Sequence, residues 1–234
     1  KLQIYTYFSC PNFGVYYSMK KINLKKVVAI AVSAIALSST SVFAQETESS
    51  VSSDAGMDIY SSYIWRGAKF GTGAAFQPWM SFQAGNFEIG SWNSISTGGF
   101  EAFEADLYAS YSFDFGLGFT VTDYYFGGSY FGDSCHYVEP AVNFAKGNFS
   151  FLGAYMLNAE DMYFELGYSF KLFDVAIGAG DGQYTSDGKF NVCNVSIKKS
   201  KEIEITDKFK LPLTGGITLN PSTEGFFGYV GISF

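Results

Sequence analysis

Histidine and cysteine are scarce in this sequence, with one histidine, His136, and three cysteines, Cys10, Cys135 and Cys193, in 234 residues. A nucleophilic triad would have to use His136, and no recognisable serine motif surrounds it. Cys135 beside it lacks the further spaced ligands of a zinc site. So few cysteines cannot staple a disulfide framework. Sustained helical periodicity is missing too, and the apolar stretch Val27–Leu37 falls short of the roughly 20 residues of a transmembrane helix. Gly178-Ala-Gly-Asp-Gly182 resembles a phosphate loop only superficially, since no GK[ST] follows. Asp181-Gly182 and Asp187-Gly188 are turn residues, and their spacing is not that of an EF-hand. The expectation is a protein that is no enzyme and uses neither cofactor nor metal.

Basic residues are outnumbered, 15 against 22 acidic ones. Residues 19–44 read as a secretory signal peptide. Lys20, Lys21, Lys25 and Lys26 form its positive end, Val27–Leu37 its apolar core, and Val42-Phe43-Ala44 its small-x-small cleavage site. Residues 1–18 precede Met19 and read as an upstream extension. Residues 1–44 hold five lysines and no acid, so ten basic side chains face 22 acidic ones in what remains. That balance excludes nucleic acid as a partner. Residues 45–55 are polar and serine-rich, a flexible periplasmic leader. Residues 56–234 show no linker or change of composition and form one domain.

What the chain has in abundance is aromatics and glycine: 25 Phe, 17 Tyr and 26 Gly. From Gly56 onward, runs of about ten residues alternate apolar with polar or small side chains, which is strand periodicity. Twelve runs are predicted: 56–66, 74–84, 87–95, 102–113, 117–126, 135–145, 149–157, 161–170, 173–180, 189–200, 208–219 and 225–234. In the fourth, Phe103, Ala105, Leu107, Ala109, Tyr111 and Phe113 alternate with Glu104, Asp106, Tyr108, Ser110 and Ser112. Tight connections such as Gly85-Asn86 alternate with longer stretches at 67–73, 96–101, 127–134, 181–188 and 220–224, the asymmetry of outer-membrane barrels. With the apolar side turned outward, only Asp123, Lys189 and Lys199 face lipid, all near run ends. A charge at mid-bilayer on that face costs roughly 2–4 kcal/mol for Arg or Lys. Tyr63, Trp65, Phe82, Phe100, Tyr111 and Phe113 fall at or near run ends, where interfacial girdles form. A soluble sandwich or lipocalin-like cup also alternates, but turns its apolar side inward, where so many rings find little room. The fold predicted is therefore all-β, an antiparallel up-and-down transmembrane β-barrel of about 12 strands, with ten as the fallback. Cys135 and Cys193, in the sixth and tenth runs, are not wall neighbours and so are not expected to bridge.

The last run, Gly225–Phe234, reads as the closing strand. Phe226, Val230, Ile232 and Phe234 form one apolar face, the membrane-insertion signal for the barrel-assembly machinery. At larger scale, Tyr60-Ser-Ser-Tyr-Ile-Trp-Arg-Gly67, Phe76-Gln-Pro-Trp-Met-Ser81, Gly90-Ser-Trp-Asn93 and Val121-Thr-Asp-Tyr-Tyr125 resemble the small porins of the TorF type (the Gcw_chp conserved hypothetical outer-membrane proteins). The close, Ile205–Pro212, Asn220-Pro221 and Gly231–Phe234, fits the same pattern. The resemblance covers almost all of the chain after residue 44. It implies an outer-membrane barrel and carries over no catalytic residues.

Candidate pore-lining residues are Asp58, Arg66, Glu88, Glu104, Asp106, Glu139, Glu165, Lys198 and Lys210, with Asp174, Lys171 and Lys208 also inward. Glu104, Asp106, Glu139 and Glu165 would cluster toward the outer end near Arg66, and the lysines toward the periplasm. One reading is an acidic vestibule that admits cations or polyhydroxy solutes. The other is salt-bridged filler that holds a narrow barrel shut, since inward Tyr60, Trp79, Trp92, Tyr108, Tyr163 and Tyr229 occupy much of the bore. The functional expectation is a porin-like channel of the cell outer membrane for passive diffusion of small hydrophilic solutes. Its alternative is a non-conducting barrel with a structural, adhesion or ligand-binding role through its outer loops. The partners implied are the lipid bilayer, the barrel-assembly machinery and the solutes, with the oligomeric state left open.

Overall fold

Strict alternation gives each strand one apolar and one polar face, and a sheet of such strands must hide its edges as well. A computed structural model of the protein describes residues 51–98, 103–127, 130–131, 135–207 and 209–234. The upstream extension 1–18, the signal peptide 19–44, the leader up to residue 50, Phe100 and Lys208 lie outside the described residues. The strands are β1 Val51–Tyr60, β2 Tyr63–Trp65, β3 Ala68–Phe70, β4 Ala75–Ala84, β5 Phe87–Ser96, β6 Glu104–Ser112 and β7 Leu117–Tyr125. They continue as β8 His136–Lys146, β9 Phe149–Met156, β10 Asp161–Ser169, β11 Asp174–Gly180, β12 Asn191–Thr206, β13 Phe209–Asn220 and β14 Gly225–Ser233.

Twelve of these strands, all but β2 and β3, form a closed antiparallel barrel in sequence order, with β1 hydrogen-bonded to both β4 and β14. The all-β, twelve-stranded, up-and-down expectation holds. Each predicted run from the second to the twelfth coincides with one wall strand to within a few residues, save for six more at the end of the tenth. Closure is made by Asp58↔Ser233, Ile59↔Ile232 and Tyr60↔Gly231, extended by the reciprocal bonds between Met57 and Phe234 at 3.1 and 3.0 Å. The last strand thus closes the wall on the first, with the backbone of the final residue in the ladder.

Side chains divide as the alternation requires. Leu107, Leu166, Ile177 and Phe226 point outward at 50, 53, 56 and 67 % exposure, while Glu104, Asp106, Tyr163 and Thr218 are buried on the inner side. Rings cluster outside at the tight-turn end, with Tyr111–Phe113 centroids 5.0 Å apart and Tyr168–Phe170 4.8 Å apart. Asp123, expected on the outer face near a rim, is paired there with His136 Nδ1 at 2.9 Å, and His136 Nε2 meets the Tyr130 carbonyl at 2.6 Å. The single histidine is therefore a rim clamp.

The first predicted run needs correction. It does not continue to residue 66, and 67–73 is not an outer loop. The wall strand starts earlier, at Val51, inside the stretch read as leader, and stops at Tyr60. Ser61 bonds Val230 of β14 through its backbone N–H and its hydroxyl. The chain then leaves the wall, forms the β2–β3 hairpin, and rejoins the wall at Ala75 opposite Tyr60.

Candidate functional site

The β2–β3 hairpin closes on two residues, Arg66 and Gly67, both with positive φ (47° and 83°). Two-residue hairpin loops favour this left-handed pair because its twist matches that of the strands. Glycine takes it freely, whereas arginine does so at a cost and only where its surroundings hold it. Gly67 is required here for a second reason. A Cβ at this position would lie 1.8 Å from the carbonyl oxygen of Cys193 on β12, so the hairpin tip presses on the opposite wall. Gly67→Val is expected to keep the hairpin from seating. Cys193, a free thiol buried in the parent, should then react with maleimide; continued protection in this variant would rule out the tight docking.

Seating is a matter of chemistry at Arg66. Its guanidinium forks onto Glu139 of β8, with Nη1 to Oε2 at 2.6 Å and Nη2 to Oε1 at 2.8 Å. Nη1 also donates to the Tyr184 hydroxyl at 2.7 Å, and Tyr124 donates to Glu139 Oε1 at 3.1 Å. The cation lies 4.4 Å from the Trp65 ring centre and 4.5 Å from that of Tyr163. Tyr163 in turn donates to Glu165, which also accepts from Asn194 Nδ2 at 2.8 Å. The Arg66 and Glu139 side chains are 8 and 3 % exposed. Such a bidentate, ring-stacked arginine is held by geometry as well as charge.

Two neighbouring features shape this seat. Between Gly178/Ala179 and their β12 partners the register shifts, so Cys193 and Asn194 both turn inward from a bulge and are both buried. The connection after β11 folds over the lumen through a single 3-10 turn, Gly182–Tyr184. Asn220 Nδ2 donates to the Tyr184 carbonyl at 3.2 Å, and the Gln183 N–H to Asp161 Oδ2 at 3.2 Å. Burial pushes the Tyr184 hydroxyl above its usual range, against the opposing pull of Arg66. It therefore stays a neutral acceptor for the guanidinium. Hairpin and turn meet inside the lumen through Arg66 and Tyr184.

Toward the tight-turn end the lumen remains hollow. A cavity of about 520 Å³ runs beneath the hairpin between Asp106 and Lys198, and one of about 300 Å³ lies beside it against Glu165 and Asp174. Ile64 of the hairpin faces both.

The structure brings four of the predicted inward residues, Arg66, Glu139, Glu165 and Tyr163, into one network. Asp106, Asp58 and Lys198 line the larger cavity. Glu104 is buried one row nearer the loop end, opposite Ser94 and in contact with Tyr63. Glu88 accepts from the Tyr108 hydroxyl at 2.9 Å. Lys210 stands apart. The β12–β13 hairpin projects past the end of β14, and there Lys210 bridges Glu202 at 3.5 Å, more than half exposed. Cys193 is unbridged, as its distance from Cys135 around the wall required. Sequence reasoning missed Tyr184, whose loop position gave no sign of inward folding. It also missed the hairpin itself, whose signal was Arg66-Gly67 between the alternating triplets Tyr63–Trp65 and Ala68–Phe70.

No family model matches this chain. No curated protein matches it, nor does any solved structure.

Proposed function

We propose that this protein is a porin-like channel of the cell outer membrane, closed at rest by the β2–β3 hairpin and passing small hydrophilic solutes when the hairpin unseats. The observation that carries the reading is the pairing of an apolar outer face with a hollow, polar lumen. A bilayer accepts only spanning strands whose backbone groups are all paired, and a closed barrel meets that demand. Ten of the twelve wall strands have 9 to 16 residues, and β9 and β11 have 8 and 7, against the about 9–11 tilted residues that cross the hydrocarbon layer. The outer ring clusters suit interfacial girdles. The likeness of Tyr60–Gly67 and the later motifs to the TorF type supports the same reading, and Phe226, Val230, Ile232 and Phe234 would be the stripe read by the assembly machinery.

A second reading is favoured by one observation, the burial of the Arg66–Glu139 fork. A plug so held could be permanent, leaving a non-conducting barrel that works through its outer loops. Planar-bilayer recording separates the two. The channel reading expects small, infrequent conductance steps from the purified protein. If both the parent and a variant lacking residues 62–73 leave the bilayer silent, the channel is excluded and the non-conducting barrel stands.

A further inference from the structure

The geometry points to a binding site for a compact organic cation, an ammonium or quaternary ammonium solute, in the cavity beneath the hairpin, with Asp106 as its anion. This deepens the channel reading by naming a solute class.

The wall supplies the acid and two rings in one row. Trp92 on β5 pairs directly with Asp106 on β6, which pairs directly with Tyr124 on β7. Residues directly opposite in an antiparallel ladder keep their Cβ atoms about 4.5–5.5 Å apart on the same face, so the carboxylate stands between the two rings. The hairpin adds two more. Tyr63 lies 5.3 Å from Trp92 and Trp65 lies 5.7 Å from Tyr124, centre to centre. All four rings and Asp106 line the same cavity of about 520 Å³, a volume within the range of small-ligand pockets.

Asp106 is 5 % exposed, and its Oδ1 meets no hydrogen-bond donor. A buried carboxylate oxygen is normally satisfied, and one that is not calls for an explanation. Among the described residues, neither Asp106 nor Glu104 has a cationic side chain within 4.0 Å, since Arg66 is committed to Glu139. The other charges on the cavity are Asp58 and Lys198, one of each sign. Lys198 stands on β12, six strands around the wall from β6, with Asp174 as its register partner. The cavity therefore holds one buried carboxyl group with no cationic partner, and that group is ringed by π faces.

A cation fits this arrangement twice over, through the carboxylate and through the quadrupoles of the rings, whose attraction grows when both are desolvated. A hard metal ion fits it poorly, because Ca²⁺ or Mg²⁺ asks for about six or more oxygen ligands. A sugar would find rings to stack on but offers the carboxyl group no opposite charge.

The test is a titration of the purified barrel in detergent with choline, followed by intrinsic tryptophan fluorescence, since Trp65 and Trp92 line the cavity. A saturable change is expected with choline and with tetramethylammonium. The neutral isostere 3,3-dimethylbutan-1-ol and potassium chloride at equal ionic strength should produce none. Asp106→Asn, nearly isosteric, should weaken choline binding at least tenfold, and Trp92→Leu several-fold. Glu88→Gln, another lumen carboxylate, should leave it unchanged. Equal response to the neutral isostere or to potassium overturns the site, as does an Asp106→Asn variant that binds like the parent. Binding does not depend on conduction. A silent bilayer with intact choline binding would remove the channel and keep the site, whereas conductance without any choline response would do the opposite.

Discussion

Replacing Arg66 with alanine is expected to raise the open probability of the barrel about a hundredfold. The hairpin is bound to the far wall chiefly through this one side chain, which makes two bonds to Glu139 and one to Tyr184 and lies over the Tyr163 ring. Removing one partner of a buried ion pair costs roughly 3–5 kcal/mol, because the other charge is stranded. A hairpin that swings free lets Glu139 meet lumen water, so the low end, about 3 kcal/mol, applies to the seated state. Each 1.4 kcal/mol is tenfold in an equilibrium constant, which gives about two orders of magnitude. Two further variants grade the effect. Glu139→Gln should act in the same direction, whereas Tyr184→Phe loses a single bond worth about 1 kcal/mol and should change the ratio only about fivefold. Single-channel recording reads the openings, and maleimide labelling of Cys193 reads unseating without requiring conduction. An Arg66→Ala protein with parental conductance and a protected Cys193 would show that the fork does not hold the hairpin.

How much of this was legible in the residues depended on which side of the wall they faced. Outward positions obey one rule, exclusion of charge, and that rule writes a period of two along each strand; the runs holding Leu107, Leu166 and Ile217 could be placed from it alone. The lumen hairpin obeys the same period for a different reason. Tyr63 and Trp65 alternate with Ile64 just as a wall strand would, so the run from Gly56 appeared unbroken through Arg66. Only Arg66-Gly67 could have marked the turn, and an Arg-Gly pair is a weaker turn signal than Asn-Gly. The bulge at Cys193 was invisible for the opposite reason. It adds one residue to a run whose alternation resumes at Asn194, and nothing local distinguishes an extra inward residue from a shift of phase. The alternation of its run turns Asp106 inward, yet the missing cation beside it and the unmatched Oδ1 are facts of three dimensions, fixed in part by Arg66 choosing Glu139.

Arginine in place of Leu166 is expected to destabilise the protein in phospholipid vesicles by about 2–4 kcal/mol, against at most about 1 kcal/mol for arginine in place of Leu172. Leu166 lies mid-strand on the outer face in one row with Phe151 and Ile177, and it is 53 % exposed. Leu172 sits in the tight turn between β10 and β11 and is more exposed still, at 70 %. Burial within the protein ranks the two sites in the same order, but both are more than half exposed, too little buried to give a large effect at Leu166. If water covered the outer face, both substitutions would replace a wetted leucine by a charge and leave stability within about 0.5 kcal/mol of the parent. Hydrocarbon reverses that outcome by depth. Leu166, near mid-height, would force a guanidinium into the apolar slab, while at Leu172 the same group reaches the interface. Denaturant unfolding from vesicles measures the difference as a shift in midpoint at constant slope. A depth-dependent penalty would establish the bilayer as the medium of the outer face, and equal, near-zero effects would make the barrel a water-covered cylinder and remove the membrane from its function.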